Sequence, residues 1–200
     1  MIKHLLALPL LALTVANPGL ATTTAVAAPK ADLVTVALDT DKGRIVLALD
    51  RGRAPITTAN FLAYVDKGYF DGQSFYRAMK LGKGGLIQGG VRSSVRLLPK
   101  IAHESTAKTG LKNVAGSIAM ANGGAGTAQS DFFIMTKDVP YFDAKGDKPG
   151  FAVFGHVVQG MDVVRAILAA PTSPTRGTGV MKGQMLEPVV VIRKAVRVGR

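Results

Sequence analysis

The stretch AGSIAMANGGAGTAQSDFFIMT, Ala115–Thr136, holds two apolar runs, Ser117–Ala121 and Phe132–Met135, on either side of a loop. The runs have the length of strands, and the loop is built from Asn122, small residues, Thr127 and the polar triplet Gln129–Asp131. Two strands therefore end beside a backbone-rich loop that another chain can approach closely. Neighbouring side chains of a strand point to opposite faces, so Phe132 and Phe133 divide between them a core position and a surface one.

Working outward, FYRAMKLGKGGLIQGG (Phe75–Gly90) supplies one arginine, one glutamine and a glycine-rich bend. Downstream, GFAVFGHVVQGMDVV (Gly150–Val164) reads as an aromatic-aliphatic strand running into a helix. The remaining strands are short and frequent. Asp32–Thr40 and Arg44–Leu49 alternate apolar and polar residues around a Lys42-Gly43 turn, a hairpin pattern. Ser74–Met79, Leu86–Gly89 and Ala152–Val158 follow, and valine-rich Glu187–Val198 is long enough to close a sheet. Helices are expected at two places only. Pro55 opens the first, with Thr58, Phe61, Leu62 and Val65 on one face and Gly68 as its stop. Met161–Ala169 forms the second, presenting Val164, Ile167 and Leu168, and Pro171 ends it. Many strands with few helices predict a mainly β protein, a closed antiparallel barrel whose closure removes exposed edges. Arg92–Lys112 and Thr172–Gly183 are the long loops.

The chain has 200 residues and no cysteine, so disulfide and thiol chemistry are excluded. Its net charge of +12 comes from basic residues scattered singly, as in Lys80/Lys83 and Arg92/Arg96, rather than gathered into a stripe. That distribution speaks for solubility and against a nucleic-acid surface. The start reads as a secretory leader: Lys3 precedes apolar Leu5–Ala16, and Ala25-Val26-Ala27 fits a small-x-small cleavage site. Cleavage after Ala27 divides the chain into a signal peptide, residues 1–27, and a single domain, residues 28–200. The apolar stretch is short for a bilayer span and contains Pro9, so no stable membrane insertion is expected. The product is expected to be exported, and periplasmic in a Gram-negative bacterium.

The segments FYR…IQGG, MAN…TAQSDFFI and FAVFGHVVQGMDVV, in this order, resemble the cyclophilins, a family of peptidyl-prolyl cis-trans isomerases. The resemblance runs from about Asp32 to Val198. It implies a closed eight-stranded antiparallel β-barrel capped by two α-helices, acting as a monomer on proline-containing segments of exported or unfolded proteins without any cofactor. An Xaa-Pro bond turns slowly because amide resonance must be broken, at a barrier of about 20 kcal/mol. Accelerating it needs a cation or donor aimed at the prolyl nitrogen, a grip on the flanking backbone and a dry pocket for the ring. By resemblance, Arg77 is the catalytic group, and arginine suits the task because it stays charged and offers donors in a fixed fork. Gln88 corresponds to the glutamine that binds substrate and helps hold that arginine. Ala121 and Asn122 correspond to a backbone grip, and Leu86, Phe133 and Phe142 to the ring pocket.

Four positions depart from the family pattern. A short expansion between Arg77 and Gln88 leaves Gly85 where a pocket phenylalanine is usual, with Leu81 as a candidate to fill the space. Asp131 replaces a neutral amide at the substrate site, and a carboxylate there is expected to pair with Arg77, so that Asp131→Gln would raise kcat/KM. Phe151 stands where many eukaryotic relatives carry histidine. Tyr141 stands where tryptophan is frequent, which implies weak cyclosporin binding. Gly85 and Asp131 also leave open a second reading, a catalytically weak or inactive module that binds proline-containing segments without turning them over.

Other chemistries find no support in the pattern. His103 and His156 are isolated and suggest no metal site. The glycines of Lys80–Gly85 lack the Gly-Lys-Ser/Thr ending of a phosphate loop, and no serine sits in a G-x-S-x-G elbow.

Overall fold

Thr40 accepts the amide of Lys42 on its hydroxyl and donates to the carbonyl of Gly43, tying the first hairpin turn between β1 (Leu33–Thr40) and β2 (Gly43–Asp50). The computed structural model describes residues 31–199, so the expected leader and its cleavage site lie outside the described residues. After β2 come α1 (Pro55–Asp66), β3 (Ser74–Leu81) and β4 (Gly84–Gly90). A one-turn α2 (Thr106–Thr109) interrupts the next loop, followed by β5 (Ser117–Met120), β6 (Phe132–Met135) and β7 (Val153–Gln159). The chain ends with α3 (Met161–Ala169), the two-residue β8 (Thr172–Ser173) and β9 (Met185–Arg197).

The strands run in the order β1-β2-β7-β5-β6-β4-β3-β9, and β9 pairs back onto β1, so eight strands close a barrel. Every pairing is antiparallel. The ninth strand, β8, lies outside the closure, paired only with β9 through Thr172–Leu186 and Ser173–Met185. It occupies the segment expected to be plain loop. The closing strand starts two residues before its expected first residue, Glu187, because Met185 is in register with Arg77 of β3.

Both long helices bury an apolar face on the barrel. Phe61, Leu62 and Val65 of α1 and Val164, Ile167 and Leu168 of α3 join one core cluster with the inward strand residues. Phe61 is its aromatic hub, with ring centroids 4.9 Å from Phe70, 5.2 Å from Phe132 and 5.3 Å from Phe154. The N-terminus of α1 exposes amides that no turn of helix precedes, and buried Glu104 satisfies them. Its carboxylate accepts from the amides of Ile56 and Thr57, at 3.2 and 2.7 Å, and from the Thr57 hydroxyl at 2.7 Å. That bond pins the long loop after β4 to the helix.

Candidate active site

The site is a row of residues across the outside of the barrel. Arg77 is opposite Gln88, Gln88 opposite Phe133, Phe133 opposite Ala119, and Ala119 opposite Val153. One step along the strands, Met79, Leu86 and Met135 form a second row on the same face. Between these rows, Ala78, Ile87, Ile134 and Ile118 point inward to the core. A strand of regular pleat would place Phe75 and Arg77 on the same face. Here the register slips between them: Phe75 faces Gly89 and Arg77 faces Gln88, leaving Tyr76 as the extra residue of a bulge. Phe75 is consequently core, while Arg77 reaches the outer groove and the Tyr76 hydroxyl bonds to two of its lining residues, Gln88 and Asp131.

That groove is a cavity of about 620 Å³. It is lined by Arg77, Leu86, Gln88, Ala121, Asn122, Asp131, Phe133, Phe142 and Phe151, which the sequence pointed to, together with Met79, Arg92 and Gln129, which it did not. One end is apolar. There Leu86 and Phe133 form a cluster on which Met79, Phe142 and Phe151 pack. The Phe133 ring meets Phe142 and Phe151 edge-on, at 5.9 and 5.2 Å. The loop carrying Phe142 is held in place by Asn113, whose side chain donates to the Phe142 carbonyl at 3.0 Å. Phe132, next to Phe133, lies in the core instead. On the rim, the Asn122 side chain accepts the Gly124 amide and Thr127 accepts the Gly123 amide. The loop thus braces itself with side chains and keeps the Ala121–Asn122 main chain along the groove.

Three expectations are corrected. Tyr141 does not line the cavity: it is 78% exposed, its ring tilted against Phe142 and the Lys148 ammonium 5.3 Å from it. Leu81 does not fill the place of a large aromatic: it lies one pair beyond Met79 on the same face, opposite Gly84 at the hairpin end and outside the cavity lining, and Met79, opposite Leu86, lines the cavity instead. At Gly85 no side chain fits at all, since a Cβ there would lie 1.9 Å from the Met79 carbonyl oxygen. The third correction concerns charge. Asp131 does not pair with Arg77. Its Oδ2 accepts from the Tyr76 hydroxyl at 3.0 Å, since the bulge brings that phenol into the space beside it.

Arg77 is held by neutral partners. Its Nε donates to Oε1 of Gln184 at 2.9 Å and its Nη1 to Oε1 of Gln88 at 2.8 Å, while Nη2 meets only the thioether of Met79 at 3.4 Å. Among the described residues no carboxylate forms an ion pair with it. Burial lowers its pKa from the ordinary value, but an arginine keeps its proton at any physiological pH. Burial likewise raises the Asp131 carboxyl above its ordinary range, opposed by the Tyr76 hydrogen bond and the nearby charge of Arg92. The result is an unneutralised guanidinium with one poorly satisfied face, at the edge of an apolar pocket. Such a group stabilises electron density that develops on an atom brought into the pocket. Gln184 and Tyr76 carry no signal in the sequence: one is a loop residue distant in the chain, the other depends on a bulge.

The family model for "Cyclophilin type peptidyl-prolyl cis-trans isomerase/CLD" matches residues 34–196. A peptidyl-prolyl cis-trans isomerase of Streptomyces antibioticus is 38% identical over 168 residues, covering 78% of this chain and 95% of the relative. The peptidyl-prolyl cis-trans isomerase A of Dickeya dadantii is 34% identical over 198 residues and covers 96% of each. Among solved structures, a cyclophilin type isomerase of Cryptosporidium parvum superposes with a TM-score of 0.69 at 21% identity, covering 84% of this chain and 99% of that one. A second structure of that protein was determined in the presence of the dipeptide Ala-Pro. The barrel, the bracketed arginine and the extent of these matches lead to one assignment: the chain belongs to the cyclophilin-type peptidyl-prolyl cis-trans isomerases.

Proposed function

We propose that this chain accelerates Xaa-Pro rotation by seating the prolyl ring against Leu86, Phe133, Phe142 and Phe151 and aiming the Nη2 side of Arg77 at the prolyl nitrogen. Rotation out of the amide plane pyramidalises that nitrogen and gives it a lone pair. A donor fixed beforehand favours this twisted form over either planar one. The main chain at Ala121 and Asn122 grips the residue before proline, and Gln88 contributes to both substrate and arginine. The observation that carries this reading is the pairing of Arg77 with two amide oxygens rather than a carboxylate. It also weakens the alternative of an inactive binding module, which rests on Gly85 and on a charge-quenching Asp131, by removing the second of these two grounds. Isomer exchange on an Ala-Pro peptide, followed by NMR, tests it: exchange enhanced by the chain and lost in Arg77→Ala supports it, and line broadening without exchange overturns it.

The substrates proposed are proline-containing segments of exported proteins, met after the leader is removed. The leader pattern of Met1–Ala27 supports this, and mass spectrometry of the N-terminus in periplasmic and cytosolic fractions tests it. We further propose a monomer that binds cyclosporin weakly, since Tyr141 stands away from the cavity; a nanomolar dissociation constant by calorimetry would contradict the latter.

A further inference from the structure

Four polar side chains form one unbroken line, three of them, Arg77, Gln88 and Asp131, in the groove wall and Tyr76 between Gln88 and Asp131. Arg77 Nη1 donates to Gln88 Oε1 at 2.8 Å, Gln88 Nε2 donates to the Tyr76 oxygen at 2.7 Å, and the Tyr76 hydroxyl donates to Asp131 Oδ2 at 3.0 Å. The direction of the bonds is set at both ends, since the guanidinium can only donate and the carboxylate lies at the far end. An ionised carboxylate can only accept, so it takes the single proton of the phenol. Tyr76 can then only accept from its other neighbour, which must be the NH2 end of the Gln88 amide. The amide therefore presents its carbonyl oxygen to the guanidinium. With a proton on Asp131 the order can reverse: the acid donates to Tyr76, the phenol donates to Gln88, and the amide turns its NH2 toward Arg77, where two donors would meet. The orientation of a side-chain amide is a property of its hydrogen-bond network, and here the ionised carboxylate reinforces, through Tyr76, the orientation that the donor-only guanidinium also demands.

The carboxylate has few alternatives to this task. Its Oδ1 is buried with no hydrogen-bond partner and packs on Gly90, where a Cβ would lie 2.0 Å away. The charged or titratable groups around it are Tyr76 of β3, Arg92 in the loop after β4, whose guanidinium lies 4.6 Å from the centre of the Tyr76 ring, and the more distant Tyr64 of α1. Tyr76 gives Oδ2 its side-chain proton donor at 3.0 Å, and the hydroxyl of Ser130, the preceding residue, also favours the ionised carboxylate.

We propose that Asp131 is a positioning residue: its carboxylate, acting through Tyr76, helps fix the Gln88 amide so that an oxygen faces Arg77. The proposal rests on the reading of Arg77 given above. Because the ionised form reinforces that orientation, activity is held above the titration of Asp131 and lost as pH falls through it. Burial moves that loss upward from the usual carboxylate range.

The test follows isomer exchange on an Ala-Pro peptide against pH for the full chain and four variants, together with the NMR resonances of the Gln88 side-chain amide. Tyr76→Phe and Asp131→Ala are expected to lower kcat by about tenfold with KM changed less than about twofold, the size of one lost charge-linked hydrogen bond. Asp131→Asn keeps an acceptor oxygen for Tyr76, so its loss is smaller, but its acidic limb disappears. In the unaltered chain the Gln88 resonances shift with the same midpoint as the activity, and in Tyr76→Phe they do not shift. Wild-type kcat and pH profile in Tyr76→Phe, or Gln88 resonances indifferent to pH in the unaltered chain, overturn the inference. Arg77→Ala separates the two layers: retained activity there refutes the reading of the arginine, while the Gln88 resonances still decide the role of Asp131.

Discussion

Oε1 of Gln184 accepts Nε of Arg77 at 2.9 Å, across 107 residues of chain, and the other end of the same amide donates to the Val180 carbonyl at 2.7 Å. The amide is therefore oriented from behind, and it holds the guanidinium from the side opposite Gln88. Both bonds leave the positive charge intact.

Gln184→Ala is expected to reduce kcat/KM by about three- to tenfold, the value of one hydrogen bond to a charged group. Gln184→Glu should lose more than Gln184→Ala, because it keeps the geometry and adds a neutralising charge. Exchange rates on one prolyl peptide for the two variants check the order. The reverse order would mean that placement outweighs charge at Arg77.

Phe132 and Phe133 offer a second comparison. Phe132→Ala removes a ring packed on Phe61, Phe70 and Phe75 and is expected to cost about 3–5 kcal/mol of stability. Phe133→Ala opens the outer pocket, so its main effect is on substrate binding, with KM raised about tenfold or more. Urea denaturation and steady-state kinetics on both variants separate the two effects.

Gly85 cannot be restored to the aromatic usual in the family. Gly85→Phe and even Gly85→Ala drive a Cβ into the Met79 carbonyl, so the hairpin must open and the Met79 wall must move. Both are expected to lower the denaturation midpoint and neither to raise kcat/KM. An active, stable Gly85→Phe would show that the β3–β4 turn has another backbone path.

Glu104 is far from the chemistry in sequence and serves α1. Glu104→Ala leaves two helix amides and the Thr57 hydroxyl without their acceptor, at a cost of about 1–3 kcal/mol. Chemical denaturation should register that loss while kcat on a small peptide stays within about twofold of the original, the ordinary independence of distant sites.

Much of this architecture is legible in the sequence because period-two alternation survives in the strands. Val34, Val36 and Leu38 against Ile45, Leu47 and Leu49 give the first hairpin, and the doublet Phe132-Phe133 gives the two faces of β6. Of the apolar half of the groove that rule gives only Phe133, while Leu86 and Phe142 rest on the family resemblance. What stays hidden is whatever depends on a break in the pleat or on a loop. The bulge at Tyr76 turns two consecutive side chains outward, and no local signal marks it. It is also why Asp131 meets a phenol rather than the arginine. Gln184 is equally silent, since a glutamine among Gly, Thr and Pro carries no periodicity. Tyr141 failed as a groove residue because the loop holding it is anchored through Asn113 to its neighbour Phe142, which faces in while Tyr141 stays in water.

The seam of the barrel joins Val36–Thr40 of the first strand to Ile192–Arg197 of the last. Because the strand that closes the seam follows the other barrel strands in the sequence, the cylinder stays unzipped until Met185–Arg197 has emerged. Gln184 directly precedes that strand, so the arginine gains its second clasp only as the seam closes. Completion of the fold and readiness for turnover are thereby made a single event.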